Sequence, residues 1–530
     1  MIEKTIDFDN EARIGLSDGI NKLANAVKTT LGAAGNTVIL EDDFGRPHIT
    51  KDGVTVAKSI NLSDPVEHLG ATVLKQASIK TADMAGDGTT TSIVLAQALV
   101  NASFEQIDIS DKLNVTRLRT ELDLISQEVI EYIESKSKKV TDETLVNVAT
   151  ISANNDQELG KIIADAYNKV GVDGAVTIEE SMTRETYTEI IEGTRIKKGY
   201  YSPYMITDKE KNTAVLENPF VLVSDKKINT IEDIESLLQA AIVKKRPILI
   251  VSEIETAVMN TLNVNKSRGV LNVNVVSPEG VGLNRFELLE DLAIMTGAII
   301  ISDETGNDFS AVTPEFLGEA KKSVSTDRET VITLISEKTA DAVKERAEMV
   351  RNILLKKEDT ANDWHYKDRL SRLSGGVAAI HVGAVTEVEM KEKKDRVEDA
   401  IHATRAALEE GIVAGGGIAL YNASQKVMGI FAKSKNKERK IAAYIMAKAL
   451  RAPLIQILEN ASYSLDDFET KMDKVRRQGY GLDVRKLRFG NMFDLGIIDP
   501  LKVTKNAVSN ATSVAITILT TNCVVSNKRA

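Results

Sequence analysis

Ala85-Gly86-Asp87-Gly88-Thr89-Thr90-Thr91 is the stretch of the chain with the densest chemistry. Two glycines bracket an acid, three hydroxyls follow, and the apolar run from Ser92 to Val100 reads as a buried helix. The glycines permit a tight turn and a close backbone approach. Free amides at a helix start, at the positive end of its dipole, favour an anion. Asp87 can carry a divalent cation, and the threonine hydroxyls can bond phosphate oxygens. The same residues would equally make an ordinary capped helix after a glycine turn, since Asp and Thr are common caps. No G-x-x-x-x-G-K-[ST] pattern occurs, so the stretch is not a Walker A loop.

Two further carboxylates stand out. Hydrolysis of a phosphoanhydride needs a positioned water, an acceptor for its proton and a metal over the leaving phosphates. Asp52 sits on a glycine turn in Lys51-Asp52-Gly53. Asp399 lies on a long helix running from Thr386 to about Glu410, off the apolar stripe of Val397, Ile401 and Leu408 in which Thr404 is the polar member. Taken singly, each is as readily a solvated surface acid. The glycine loops Thr30-Leu31-Gly32-Ala33-Ala34-Gly35 and Ala414-Gly415-Gly416-Gly417, with Asp483 and Asp499, complete the candidates.

The spacing predicts the elements that must hold these residues. Ile20, Leu23, Ala24, Val27 and Leu31 recur at helical spacing over 11–31. Val38–Leu40 and His48–Thr50 flank the loop Asp42–Pro47 as a hairpin, and helices follow over 65–84, 113–140 and 157–170. Val172 to Glu192 alternates like a strand, interrupted at Gly193. Beyond it the runs Phe220–Val223, Ile248–Val251, Val273–Val276 and Ala298–Ile301 alternate with helical stretches, the rhythm of an α/β layer domain closed by Gly375-Gly376. The candidate residues lie near both chain ends. If they act together, both ends must build one domain, with 193–376 inserted and glycine steps at 193, 375–376 and 411 as hinges.

With 530 residues, two to four domains are expected. A hydrophobic share of 43% with 27% charged residues describes a soluble globular protein. The net charge of −10 argues against nucleic acid or a membrane as partner, and 4% aromatics leave few platforms for bases. Cys523, the lone cysteine, excludes an internal disulfide and reads as a small buried apolar residue. Five scattered histidines give no zinc spacing. No run of about 18 apolar residues suggests a membrane span. The acidic start Met1 to Asp9 has no h-region or arginine-rich presequence, so a bacterial-type cytoplasm is expected.

Read together, the segments resemble the group I chaperonins, the GroEL-like family, from residue 8 to about 525. The resemblance rests on Thr50-Lys-Asp-Gly-Val54, the 85–91 stretch and Thr150-Ile-Ser-Ala-Asn154. Equally strong are Glu387 to Lys394, Arg396 to Ala400, His402 to Ala407 and Glu410 to Gly417. Gly199-Tyr200, Ser202-Pro203-Tyr204 and Gly490-Asn491-Met492 add to it. It implies a multidomain α+β fold. A mainly helical equatorial ATPase domain is expected from 1–134 and 412–530, a small intermediate hinge domain from 135–192 and 377–411, and an inserted α/β apical client-binding domain from 193–376. The cofactors it implies are ATP, Mg2+ and K+. By resemblance, Thr30, Leu31, Gly32, Ala33 and Lys51 line the nucleotide and potassium site, with the Thr30 and Lys51 backbones on K+. Asp87 binds Mg2+, and Gly88, Thr89, Thr90 and Thr91 hold the phosphates. Gly415 and Gly416 approach the sugar, Asp483, Val484, Ile497 and Asp499 surround base and ribose, and Ile151 covers the pocket. Asp399 positions the attacking water, supported by Asp52.

The resemblance also implies that helices near 232–242 and 256–266 grip unfolded polypeptides and, alternately, a co-chaperonin lid. Ile234, Leu237, Leu238, Met259, Leu262 and Val264 would supply apolar surface there, joined by Tyr200, Tyr204 and Met205; the same residues could instead pack the domain core. The implied activity is an ATP-dependent protein-folding chamber built as a heptameric ring, or two stacked rings, of identical chains. A ring-forming holding protein with weak ATP use is the alternative, and a small-molecule phosphotransferase lacks any acceptor motif. Several departures mark a divergent member. Ala33 and Ala34 stand where the family has proline and lysine, Asp483 and Val484 replace a Tyr-Asn-Ala run, and Glu235 and Asn263 replace aliphatic residues. The segment 458–480 matches poorly, and the tail Ser526–Ala530 lacks Gly-Gly-Met repeats.

Overall fold

Local chemistry sets the ends of the helices that frame the opening turn. Asp64 caps the helix Pro65–Ala85 by accepting the Val66 and Glu67 amides at 2.9 Å, with proline at the first turn. That helix stops at Gly86, whose φ of 73° lies in the left-handed region. The helix Thr89–Ile109 starts directly after the turn. Thr386 accepts the Glu389 amide at 3.2 Å and so fixes the start of the helix Glu387–Glu410.

The computed structural model describes residues 4–41, 45, 47–109, 113–171, 175–181, 183–209, 211–356, 363–374, 376–475 and 477–527. Asp42, Asp43, Phe44 and Arg46 of the predicted hairpin loop, the start of the run at Val172, Gly375 and the last three tail residues lie outside the described residues. The chain divides into two compact units, Met1–Ala164 with Ala384–Ala530, and Asp165–Gly383. Both chain ends thus share one unit, and the break falls inside the two pieces expected to form a hinge domain.

The first unit is a helical bundle. Asp9–Val27, Pro65–Ala85, Thr89–Ile109, Val115–Glu134, Ile418–Lys433, Lys437–Asn460 and Leu501–Leu519 pack around Ile20, Leu23, Leu74, Ile93, Leu99, Leu122 and Leu450. The first helix ends sooner than its pattern suggests: Lys28–Thr30 tightens to a 3₁₀ turn, and Leu31 lies beyond it. The helix predicted over 113–140 is Val115–Glu134. Lys437–Asn460 is long and apolar enough to cross a membrane by length and composition, yet 67% of its apolar window is buried in the protein, as befits a core helix. The strands Val38–Glu41 and Pro47–Thr50 pair antiparallel as the predicted hairpin. The two chain ends are joined by Lys4–Phe8 pairing antiparallel with Cys523–Asn527. Burial alternates along this last strand, and Cys523 falls on the outward side. It is exposed, contrary to the expectation of a buried apolar residue, because the two-stranded ribbon covers only one of its faces.

The second unit holds two sheets. Phe220–Val223, Ile248–Val251 and Val273–Val276 run parallel, with Gly318–Glu319 antiparallel at one edge. Every residue of the three parallel strands is buried, which explains their apolar runs; the one polar member, Asn274, donates its amide to the Ser325 hydroxyl at 2.7 Å. Ala298–Ile301, predicted as another strand, makes only a single bridge from Ile301 to Ser224 at the sheet end. The six-stranded sheet has the order Ala175–Glu180, Gly376–Val382, Tyr187–Ile196, Thr330–Thr333, Lys322–Ser325, Ala214–Glu217. Gly193 does not interrupt its strand; it pairs with Thr333 inside it. Glycine is needed there for packing, because a Cβ would stand 2.3 Å from Val377 Cγ2 and 2.7 Å from the Ile332 carbonyl. Arg369 is almost wholly buried and donates to Asp291 at 2.7 and 2.9 Å, and Arg346 donates to the same carboxylate at 2.7 Å. Charges at such depth persist only when paired, so this carboxylate fixes three helices to one another.

Candidate active site

The turn at 86–88 is pressed between helices. Gly88 has φ 83°, and a Cβ on it would stand 2.5 Å from Val503 Cγ1; at Gly86 it would stand 2.1 Å from His402 Cβ. Glycine is therefore required at both positions, by conformation and by space. The Asp87 carboxylate accepts from the Gly88 amide at 2.5 Å and from the Ser152 hydroxyl at 3.5 Å. Ser152 closes the helix Asp142–Ser152, which also carries the half-buried Ile151. Thr89 to Thr91 form the first turn of Thr89–Ile109, where backbone amides have no carbonyl one turn back to bond.

Asp52 and Gly53 lie against this helix start. A Cβ on Gly53 would stand 2.0 Å from Thr90 Oγ1 on one side and 3.2 Å from Val27 Cγ1 on the other. Asp52 caps the helix Gly53–Ser59, accepting from Val54 N at 3.0 Å, Thr55 N at 2.7 Å and Thr55 Oγ1 at 2.7 Å. Both oxygens thus accept bonds from the turn that Asp52 caps. Lys51 is exposed beside it.

Asp399 projects from the middle of Glu387–Glu410, whose stripe residues Val397, Ile401 and Thr404 are buried. Burial pushes its carboxyl well above the usual carboxylate range, and the charges of Asp87 and Asp52 add to the rise. Burial also raises Asp87, helped by Asp52 and opposed by the Gly88 amide, Ser152 and His402. Asp499 is pushed up to about 7 by burial first and by Asp87 second. Asp52 thus disfavours the ionised forms of Asp87 and Asp399, and Asp87 those of Asp399 and Asp499, which puts all four in one electrostatic neighbourhood. Such a set is suited to positive charge. Among the described residues no three His, Cys, Asp or Glu side chains form a metal-chelating group. A divalent ion on Asp87 fits this donor set only if ligand or water oxygens complete its shell, which is the normal habit of Mg2+.

The acid at 499 carries a pH signature. A carboxyl protonated in the folded chain and ionised in the unfolded one makes the folded state bind more protons, so its contribution to stability falls as pH rises from the ordinary 3.8 to about 7. Asp499→Asn is therefore expected to gain stability relative to the parent as pH is raised through that window. Urea denaturation of both proteins at pH 4 and pH 8 checks this; a constant difference between them would contradict it.

Other predicted residues form the surrounding walls. The Thr30 hydroxyl donates to the Val27 carbonyl at 2.9 Å, and the Gly35 amide closes the turn on the Gly32 carbonyl at 2.9 Å. Ala33 is exposed on this turn. Asn460, in the segment that matches the family poorly, donates to the carbonyls of Lys28 at 3.0 Å and Leu31 at 2.9 Å and anchors the turn. A Cβ on Gly415 would stand 2.9 Å from Asp499 Oδ1, and one on Gly416 would stand 3.1 Å from Met492 Cε. Val413 pairs with Asp499 across the ladder of Ile412–Ala414 and Ile498–Pro500. Val484 and Ile497 are half-buried against the adjoining core. Asp483 accepts the Arg485 and Lys486 amides at 3.0 and 3.2 Å, so its carboxylate shapes its own hairpin turn. Ser152, His402 and Asn460 were not singled out by residue type. Ser152 lies within the 150–154 match, and that is the signal that could have pointed to it.

The predicted client residues sit differently from expectation. Ile234, Leu237, Leu238, Met259 and Leu262 are buried in the core beneath the parallel sheet, and Met205 is buried with them. The outward sides of Glu235–Val243 and Thr256–Ser267 carry Glu235, Ser236, Gln239, Asn260 and Thr261. Of the named set, Val264 at 47% and Tyr204 at 68% are exposed, and Tyr200 is half-buried. The reason is geometric: the residues at i, i+3 and i+4 form the single apolar stripe of each helix, and the sheet takes it. Exposed large apolar side chains elsewhere in this unit include Tyr201, Val270, Val281 and Leu283, and Ile242 and Val243 at the end of the first of these helices.

Two comparisons bear on what this arrangement is. The chain has 23% identity to the chaperonin gp146 of bacteriophage EL 2 (Pseudomonas aeruginosa), crystallised in the presence of ATP-BeFx, each covering 99% of the other. The TM-score is 0.72 for one crystal form and 0.63 for a second. A model of the TCP-1/cpn60 chaperonin family matches residues 23–529. With nearly the whole chain matched, the protein belongs to the TCP-1/cpn60 chaperonin family, as a divergent GroEL-like member.

Proposed function

We propose that this chain is the subunit of an ATP-driven protein-folding ring. The observation that carries the reading is the convergence of Asp52, Asp87, Asp399 and Asp499 on the turn where Thr89–Ile109 opens. Gly88 to Thr91 offer backbone amides and hydroxyls to phosphate oxygens, and Thr30 to Ala33 with Lys51 form the facing turn. Gly415 and Gly416 pass the sugar without side chains, with Ile497, Asp483, Val484 and Asp499 around base and ribose and Ile151 over the pocket. Asp399 orients the attacking water and takes its proton; burial makes its carboxylate a stronger base than an exposed one. Mg2+ on Asp87 and K+ on the Thr30 and Lys51 backbones, when bound, neutralise charge on the phosphates. The phage chaperonin crystallised with an ATP analogue supports nucleotide use.

Assembly is supported by two ribbons in the first unit. Ile39 and Ile49 face solvent on one hairpin, and Ile6, Phe8 and Val525 on the ribbon of the chain ends. Apolar side chains on exposed strand pairs are the kind of surface a neighbouring copy covers. Clients are proposed to meet Tyr201, Tyr204, Val243 and Val264, with a co-chaperonin lid competing for the same surface. Native mass spectrometry with and without ATP tests the ring: seven or fourteen subunits are expected, and a monomer under all conditions would overturn it.

A further inference from the structure

We propose a second small-molecule site in the first unit, built for a single-ring aromatic carboxylate. A cavity of about 150 Å³ lies beside the end of Val115–Glu134, the strand Ile412–Ala414 and the hairpin of Tyr480–Asp483 with Arg488–Asn491. None of the residues assigned to the nucleotide lines it.

The lining decides the ligand class. Ile133, Val413, Ala419 and the Phe493 ring give an apolar floor. The charged groups are two lysines, joined by the amides of Asn422, Gln478 and Asn491, which can donate as well as accept. Lys138 Nζ stands 3.9 Å from the centre of the Phe493 ring, and Lys136 Nζ stands 5.5 Å from that of Tyr132. These contacts hold the two ammonium groups at the cavity while leaving them N–H bonds to give. Asn491 uses its carbonyl oxygen to accept the Phe493 amide at 3.0 Å, which leaves its NH2 as a donor, and Asn422 supplies a further amide. No Asp or Glu is among the described lining residues, although the chain has a net charge of −10. The cavity selects an anion.

Size and floor narrow the choice. The volume is below the roughly 300 Å³ at which drug-sized sites begin. A bare phosphate would satisfy the ammonium groups and leave the apolar floor wet. A neutral ring would cover the floor and leave the donors unanswered. One ring bearing one carboxylate uses both.

Ligand-observed NMR titration of the full chain with benzoate, benzyl alcohol and inorganic phosphate tests this. Benzoate is expected to bind saturably, with the other two probes weaker by about tenfold or more. Lys138→Met is expected to weaken benzoate about tenfold, and Ala419→Leu, which fills the floor, to abolish its binding. Lys138 is exposed, so its variant keeps the test valid if the filled variant fails to fold. Equal binding of phosphate or benzyl alcohol, no saturable benzoate binding, or benzoate affinity unchanged in Lys138→Met would overturn the site.

Discussion

Asp399→Ala is expected to slow ATP turnover about a thousandfold while leaving ATP affinity within a factor of about three, since a positioned proton acceptor contributes roughly 10²–10⁴ in rate. The separation follows from geometry. Asp399 stands on Glu387–Glu410, off the buried stripe, and the amides and hydroxyls proposed to hold the phosphates belong to a different helix. The substitution also removes a carboxyl that is buried among like charges. The ligand-free variant should consequently be at least as heat-stable as the parent at neutral pH, in contrast to the usual cost of altering a buried residue. Single-turnover hydrolysis, equilibrium nucleotide binding and a melting curve read the three effects. Loss of ATP binding alongside turnover would mean that Asp399 shapes the pocket rather than acting in it.

Asp87→Asn should do the opposite. The Gly88 amide donates to one oxygen of the carboxylate and the Ser152 hydroxyl to the other; in Asn the amide oxygen keeps the Gly88 bond, and the NH2 replaces the longer contact by donating to the Ser152 hydroxyl oxygen. What disappears is the charge. Mg2+-dependent nucleotide affinity is expected to fall about a hundredfold, or roughly 2.7 kcal/mol, whereas affinity measured without the metal changes little. Because Asp87 is the second cause of the Asp499 shift, the variant should also lower the pH at which Asp499 titrates. Isothermal titration with and without Mg2+ checks the first effect. Equal losses under both conditions would assign Asp87 a purely structural place.

Much of this was legible in the residues because local chemistry and tertiary structure agree. The glycines at 86 and 88 read as a turn, and they occupy left-handed conformations pressed against His402 and Val503. The helix Gln157–Val170 and the strands at 220–223, 248–251 and 273–276 follow their patterns residue for residue. Less legible was anything that depends on which of two surfaces an apolar stripe meets. Leu237 and Leu262 look alike in sequence whether they face a client or a sheet, and the sheet won. Asp52 illustrates a second limit. An acid before glycine reads equally as a cap or a catalyst, and its three short bonds to Val54 and Thr55 show the cap. Asn460 shows a third: its role depends on carbonyls more than four hundred residues away in the chain, which no local pattern records.

Refolding of a chemically denatured enzyme, in the presence of this protein with ATP, without ATP, and with Asp399→Ala plus ATP, tests the central claim most directly. An ATP-driven folding ring predicts recovery well above spontaneous yield only for the parent with ATP, and the co-chaperonin lid is added as a further arm. Equal recovery with and without ATP, or full recovery with Asp399→Ala, would contradict it and leave a protein that holds unfolded chains without working on them.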